Sequence, residues 1–415
     1  MKMFAEPARR IPVYAEVGVL VIGGGPAGTA AAIAAARQGA DTLLVESQAF
    51  LGGGLTASLM SVISGFRNQK QPNATQAVRG IPQEIVCELH RMRGLAASPV
   101  EQQEFDLAAG QLSYSYAVDA EKLKVLLIRM AGNALCDVLL HTAASWPITD
   151  GNRVTGAIVE NKSGRQAILA MAVVDCTGDA DIAHRSGALC VKVAREPEAA
   201  LPHLVYKVAG FKPRLGVPLP GILVNASLLV MGPAIAADGT NGIDVSRGEI
   251  EARTQVLEHF EQIRQAYPCL AGAFVAETPA ALGFGRSRYV QGEYTLTEHD
   301  ALSGARFTDV VAISAAPVLE CCGETRCLDH EGFDVPYRCL VPAKIDGLLV
   351  AGRCVSCEQL PFRSLGSAAC TMAMGQAAGT AAAIAARKNI LPRQLNVSEL
   401  RQALIAQGAE VRQSF

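Results

Sequence analysis

The chain has 415 residues, a formal net charge of −2, 50% hydrophobic and 18% charged residues. That length exceeds a single core and argues for two structural units, while the composition excludes a disordered or fibrous chain and suits an α/β protein with a buried parallel sheet. No block of like charges marks a nucleic-acid or anionic-lipid surface, so nucleic acid is excluded as a partner.

The N-terminal segment 1–16 carries Glu6, Arg9 and Arg10 and lacks the apolar stretch of a secretory signal. The expected location is therefore the cytoplasm, with the 12 cysteines as reduced thiols and most of them core filler. From 17 to 22 an apolar, Val-rich run ends abruptly in a glycine-rich stretch, which predicts a buried strand and a tight turn. Small helix formers from 27 to 38, a stop at Gly39 and a second apolar run at 42–45 complete a βαβ unit.

Residues 50–65 are rich in glycine and small polar types, and 67–77 is loop-like. Helices are predicted at 82–93 and 119–131, the second opened by Asp119 as N-cap, and strands at 138–141, 154–159 and 167–174. From about 190 to 344 the pattern turns irregular, with several prolines, one amphipathic helix at 250–267 and loops rich in Arg, Tyr, His and Cys. A buried strand at 348–351, a long small-residue helix at 367–388 and a terminal helix at 397–407 follow. The uncharged stretches 215–237 and 364–386 are long enough to span a bilayer. Pro218, Pro220, Asn225 and Pro233 in the first, and the Ala/Gly composition and Gln376 of the second, make both buried elements of a non-membrane protein.

Gly23, Gly25 and Gly28 fit G-x-G-x-x-G between a strand and a helix, the context that gives this motif its meaning. Gly23 permits the turn, Gly25 lets backbone amides approach a pyrophosphate, and Gly28 lets the helix pack on the strand. Glu46 closes the second strand at about the 20-residue offset of an acid that binds ribose hydroxyls. The segment from Arg9 through Gly54 resembles the N-terminus of FAD-dependent oxidoreductases of the glutathione-reductase-like superfamily. Within them it is most similar to a bacterial family distantly related to fumarate-reductase flavoproteins. Three further segments resemble that family in order: Gly52-Gly53-Gly54 with Thr56, the Asp175-Cys176-Thr177-Gly178-Asp179 stretch, and Gly352-Arg353 followed by the helix holding Gly375.

The resemblance implies a Rossmann-like FAD-binding domain, discontinuous in sequence, with an inserted α+β substrate domain. Its bounds are 1–190 and 345–390 for the FAD domain, 191–344 for the insert and 391–415 for a helical tail. It implies non-covalent FAD held by Gly23, Gly25, Pro26, Ala27, Gly28, Glu46, Ser47, Gly53, Gly54, Thr56, Ala143, Thr177, Gly178, Asp179, Gly352, Arg353 and Gly375. It also implies a helix N-terminus near 367 aimed at the flavin pyrimidine ring. The family's usual His falls on Gln359 and its usual Arg on Gly366, so no substrate carries over from better-known relatives.

Candidate catalytic and substrate-anchoring residues are Arg286, Arg288, Tyr289, Tyr294, His299, Arg338 and Arg363, guanidiniums suited to a carboxylate beside groups that can move a proton. The expected reaction is hydride transfer between a small organic substrate and flavin N5, with an unidentified electron acceptor; a homo-oligomer is compatible with the sequence. A redox-neutral flavin isomerase or hydratase and a flavin-binding electron-transfer subunit are the alternatives. No metal is expected, because Cys354-Val355-Ser356-Cys357 has no second C-x-x-C beside it, although Cys321, Cys322, Cys327 and Cys339 precede it.

Overall fold

A computed structural model describes residues 4, 6–68, 70, 74–96, 112, 114–193, 201–212, 218–319 and 325–412. The main sheet has seven strands: β1 (Val13–Ile22), β2 (Thr42–Val45), β3 (Asp137–Leu139), β4 (Ala143–Asp150), β5 (Arg153–Asn161), β6 (Gly164–Asp175) and β7 (Leu348–Val350). Their order is β3-β2-β1-β6-β5-β4, with β7 also on β6. The β3, β2, β1, β6 and β7 pairings are parallel, whereas β4-β5-β6 is an antiparallel meander. β6 is the pivot: its first half pairs with β5, and Val173–Asp175 pair with β7 on the same edge. A segment from late in the sequence thereby rejoins the first βαβ unit, as the expectation of a discontinuous domain requires.

Val19 and Val21 are buried against the helices Pro26–Arg37 and Ala368–Lys388, whereas Leu20 and Ile22 are buried in a second core with Val154, Ala157 and Val159 of the meander. α1 (Pro26–Arg37) starts with proline at its first position, where the missing N–H costs nothing. The long helix Ala368–Lys388 lies on α1, and cβ atoms at Gly375 and Gly379 would overlap the carbonyl oxygens of Ala27 and Ala31. Two small-residue surfaces in backbone contact account for the Ala- and Gly-rich composition of both helices. Among the described residues no helix is long and apolar enough to cross a membrane.

A second, antiparallel sheet runs Ile222–Val224, Ser227–Ala234, His203–Ala209, Phe274–Glu277. The helix Gly242–Ala266 covers it, and Tyr206, Leu228, Ala252, Val256 and Phe260 form a separate core. This helix begins eight residues earlier than its apolar pattern predicts, by 250 minus 242, because Asn241 caps it by accepting from Ile243 N and Asp244 N. β4 is absent from the sequence expectations; Pro147 interrupts it, which an edge strand tolerates. The described part of 215–237 forms two strands of this second sheet. Leu296, Val310, Phe333 and Tyr337 pack in the same core as α1 and the long helix.

Candidate functional site

The chain leaves β1 through Gly23, whose φ of +95° and position, with a Cβ that would lie 2.6 Å from Cys176 O, admit only glycine. Gly25 is the N-cap of α1, followed by Pro26 and buried Ala27, and no side chain caps the helix. Nothing lies within 4 Å of the position a Gly25 Cβ would take. Gly28 packs against the turn, its Cβ position overlapping Gly23 O. The second glycine turn closes on the first: Gly52 N donates to Gly24 O at 2.8 Å, and a Cβ on Gly53 would lie 2.8 Å from Gly25 Cα. Gly54 also faces open space, and Thr56 Oγ1 donates to Leu51 O within its own turn at 2.8 Å.

Glu46 is buried and ties these turns to the meander. Its Oε2 accepts from Gly24 N at 2.6 Å, and its Oε1 accepts from Gln48 N at 2.7 Å and Ser47 Oγ at 3.0 Å. A carboxylate offers about four lone-pair positions, so this acid retains acceptor capacity. Thr142 N donates to Glu46 O at 3.0 Å, which brings Ala143, exposed at the start of β4, next to the acid.

At the end of β6, fully buried Asp175 organises the next turn by accepting from Thr177 N, Thr177 Oγ1 and Ala183 N. Burial raises its pKa, and these donors work against that shift. Gly178 has a φ of +84° and lies against the Arg353 guanidinium, which pairs with Asp179 at 3.3 Å. Gly352, at φ +91°, sits over α1, its Cβ position 3.1 Å from Ala27 Cβ. Gly375 is placed against Ala27 inside the long helix. The turns predicted from the sequence thus meet around the N-terminus of α1.

The candidate catalytic residues fall into two groups. Arg288 is buried, donating from Nε to Asp179 O at 2.7 Å and pairing with Asp181 at 3.4 Å. Arg286 is held between the rings of Tyr289 and Phe362, at 4.1 and 4.6 Å, and donates to Val355 O and Glu358 O. Arg363 follows Phe362 on the short helix Gln359–Leu365. In the second group Tyr294 donates to Asp300 at 2.8 Å, and Arg338 lies over its ring while chelating Asp309 at 2.9 and 3.3 Å. Burial, with Asp300 beside it, pushes Tyr294 up to about 12, so this phenol keeps its proton at neutral pH. His299 is exposed on the helix Glu298–Ser303.

Residues that sequence reasoning missed are Ser287, whose hydroxyl donates to Asp179 Oδ1, and Asp181. Ser367, the N-cap of the long helix, and Gln359 each bury a polar side-chain oxygen that has no protein partner. Cys354 and Cys357 are both buried but lie in different core clusters, and burial raises both thiols. Cys321 and Cys322 lie outside the described residues; Cys327 is exposed and Cys339 buried. Among the described residues no group of three or more His, Cys, Asp or Glu could hold a metal ion.

The profile of the FAD-dependent oxidoreductase family matches residues 18–217 and 205–404. The chain belongs to this family. The enzyme uses FAD, and the residues present fit that cofactor: an uncapped helix N-terminus, open space at Gly25 and Gly54, and unpartnered Ser367 Oγ. Over 189 residues it is 28% identical to digeranylgeranylglycerophospholipid reductase of Methanoculleus marisnigri, 45% of each chain. Over 168 residues it is 30% identical to the enzyme of the same name from Picrophilus torridus, 39% of this chain and 38% of that one. The match thus spans less than half the length of these relatives. A geranylgeranyl bacteriochlorophyll reductase-like protein of Thermoplasma acidophilum superposes with a TM-score of 0.52 at 14% identity, covering 95% of this chain and 84% of that one, and shares the fold.

Proposed function

We propose that this FAD-dependent oxidoreductase transfers hydride between a small organic substrate, a carboxylate in the favoured reading, and flavin N5, within the glutathione-reductase-like superfamily. The supporting observation is the meeting of both glycine turns at the uncapped N-terminus of α1, with space for a ligand at Gly25 and Gly54. Backbone amides of that turn and the helix dipole would hold the pyrophosphate, and Glu46 the ribose. When bound, FAD supplies a two-electron acceptor at N5. Residues 1–190 and 345–390 would form the cofactor domain and 191–344 the substrate domain.

Arg286 carries the substrate proposal. The two aromatic rings fix the plane of the Arg286 guanidinium beside the helix that bears Arg363, which suits a planar anion. Arg288 and Arg338 are each paired with acids and fit structural roles better. Tyr289 and His299 remain the candidates for moving a proton, since the Tyr294 hydroxyl is engaged by Asp300. The relatives' names specify prenyl lipids for those proteins, whereas Arg286 and Tyr289 favour a polar substrate here. Anaerobic titration of the purified protein with fractionated metabolites tests the reading. Bleaching of the flavin by a carboxylate-containing fraction is expected; substrate turnover under anaerobic conditions with the flavin oxidised throughout would mean a redox-neutral reaction instead.

A further inference from the structure

The strip 281–288 reaches three of the segments assigned above to the flavin site: the end of the second glycine turn, Asp179 and Arg353. Ala281 N donates to Ala57 O at 3.1 Å, and Ser58 Oγ donates to Leu282 O at 3.0 Å, just past the second glycine turn. The carbonyls of Phe284 and Gly285 accept from Arg353. The Ser287 hydroxyl and Arg288 Nε then hold the two ends of Asp179, its carboxylate and its carbonyl. Gly283 is also bridged to His203 of the second sheet, and Leu282 N donates to Glu249 Oε1 of its helix at 2.7 Å. One short strip therefore fastens the second sheet to three turns that are remote from one another in sequence.

We propose that strip 281–288 is a clasp that fixes the separation of these three turns, with Ser287 and Arg288 as positioning residues that act on FAD through Asp179 without touching it. The inference rests on the flavin-site reading given above. Asp179 Oδ1 accepts from both Ser287 Oγ and Arg353, and Arg353 also reaches Oδ2 at 3.4 Å, so its carboxylate direction is set by charge-assisted hydrogen bonds from two residues. Buried Arg288 holds the backbone of the same turn, and its second partner Asp181 keeps its charge compensated. A turn that is held at both ends meets its ligand without an ordering cost.

The test measures FAD dissociation constants by fluorescence quenching on apoprotein reconstituted with FAD, at temperatures where circular dichroism is native, together with the visible spectrum of bound flavin. Ser287→Ala is expected to weaken FAD about fivefold and Arg288→Met about tenfold, each with a shifted flavin spectrum, and Arg288→Lys, which can reach one of the two acceptors, to fall between wild type and Arg288→Met. Gly25→Val is the control for the site itself. If Gly25→Val loses FAD while Ser287→Ala and Arg288→Met bind it within twofold of wild type, the clasp is wrong and the site stands. If Gly25→Val keeps FAD, the site reading fails and the clasp with it. Should Arg288→Met not fold, Ser287→Ala decides alone, because removal of one half-buried hydroxyl leaves the buried arginine in place.

Discussion

Gly375 lies against the backbone of Ala27 so closely that a Cβ on it would overlap the Ala27 carbonyl oxygen. The long helix and α1 therefore meet backbone to backbone, within the first turn of α1. Gly375→Ala is expected to destabilise the protein by about 1–3 kcal/mol through overpacking. It should also weaken FAD, since α1 must move. Gly132→Ala, on an exposed helical position with nothing within 4 Å, is the contrasting case and should stabilise by about 0.5–1 kcal/mol. Urea unfolding midpoints of the two variants check both signs.

Gly25→Val separates the ligand from the fold. Gly25 has φ −67° and ψ −173°, which any residue adopts, and nothing lies within 4 Å of its Cβ position. The variant should therefore keep the fold, at a cost of about 1 kcal/mol for Val at an N-cap, and yet lose FAD, because its side chain fills the space where the pyrophosphate approaches the backbone. Flavin content per folded chain is the measurement, and a wild-type value would displace the pyrophosphate from this turn.

The first βαβ unit and its glycine turn were legible because every signal there is local: an apolar run, glycines at fixed offsets and an acid ending the next strand. The start of the helix Gly242–Ala266 was hidden because Asp244, Arg247 and Gly248 mask its apolar period, and Asn241 is visible as a cap only once the helix is known. The arginines show the deeper limit. Arg288 reads in the sequence as a substrate anchor, but its acceptors Asp179 and Asp181 lie more than a hundred residues away and are brought to it only by the pairing of Cys190–Lys192 with Arg288–Val290. Arg338 likewise meets Asp309 through the pairing of Val310–Ser314 with Phe333–Pro336.

Buried thiols should make the fold labile in alkali. Burial pushes both Cys136 and Cys370 up to about 12 from an ordinary value of 9.0. Below pH 9 both the folded and the unfolded chain hold these protons, so the thiols' full stabilising contribution is present. As pH rises from about 9 toward 12 the unfolded chain releases protons that the folded chain keeps, and stability falls by about 1.4 kcal/mol per pH unit for each such thiol. Unfolding midpoints between pH 8 and 10.5 should therefore drop less steeply in Cys370→Ala than in wild type. Equal slopes would mean that Cys370 ionises in the folded state as it does in the unfolded one.

The most direct test of the account is the flavin content of the purified protein after reconstitution with FAD, followed by acid precipitation. About one FAD per chain is expected, released into the supernatant because no covalent link holds it to the glycine turns at Gly25 and Gly53. A correctly folded, colourless protein that binds NAD tightly and takes up no FAD would contradict it.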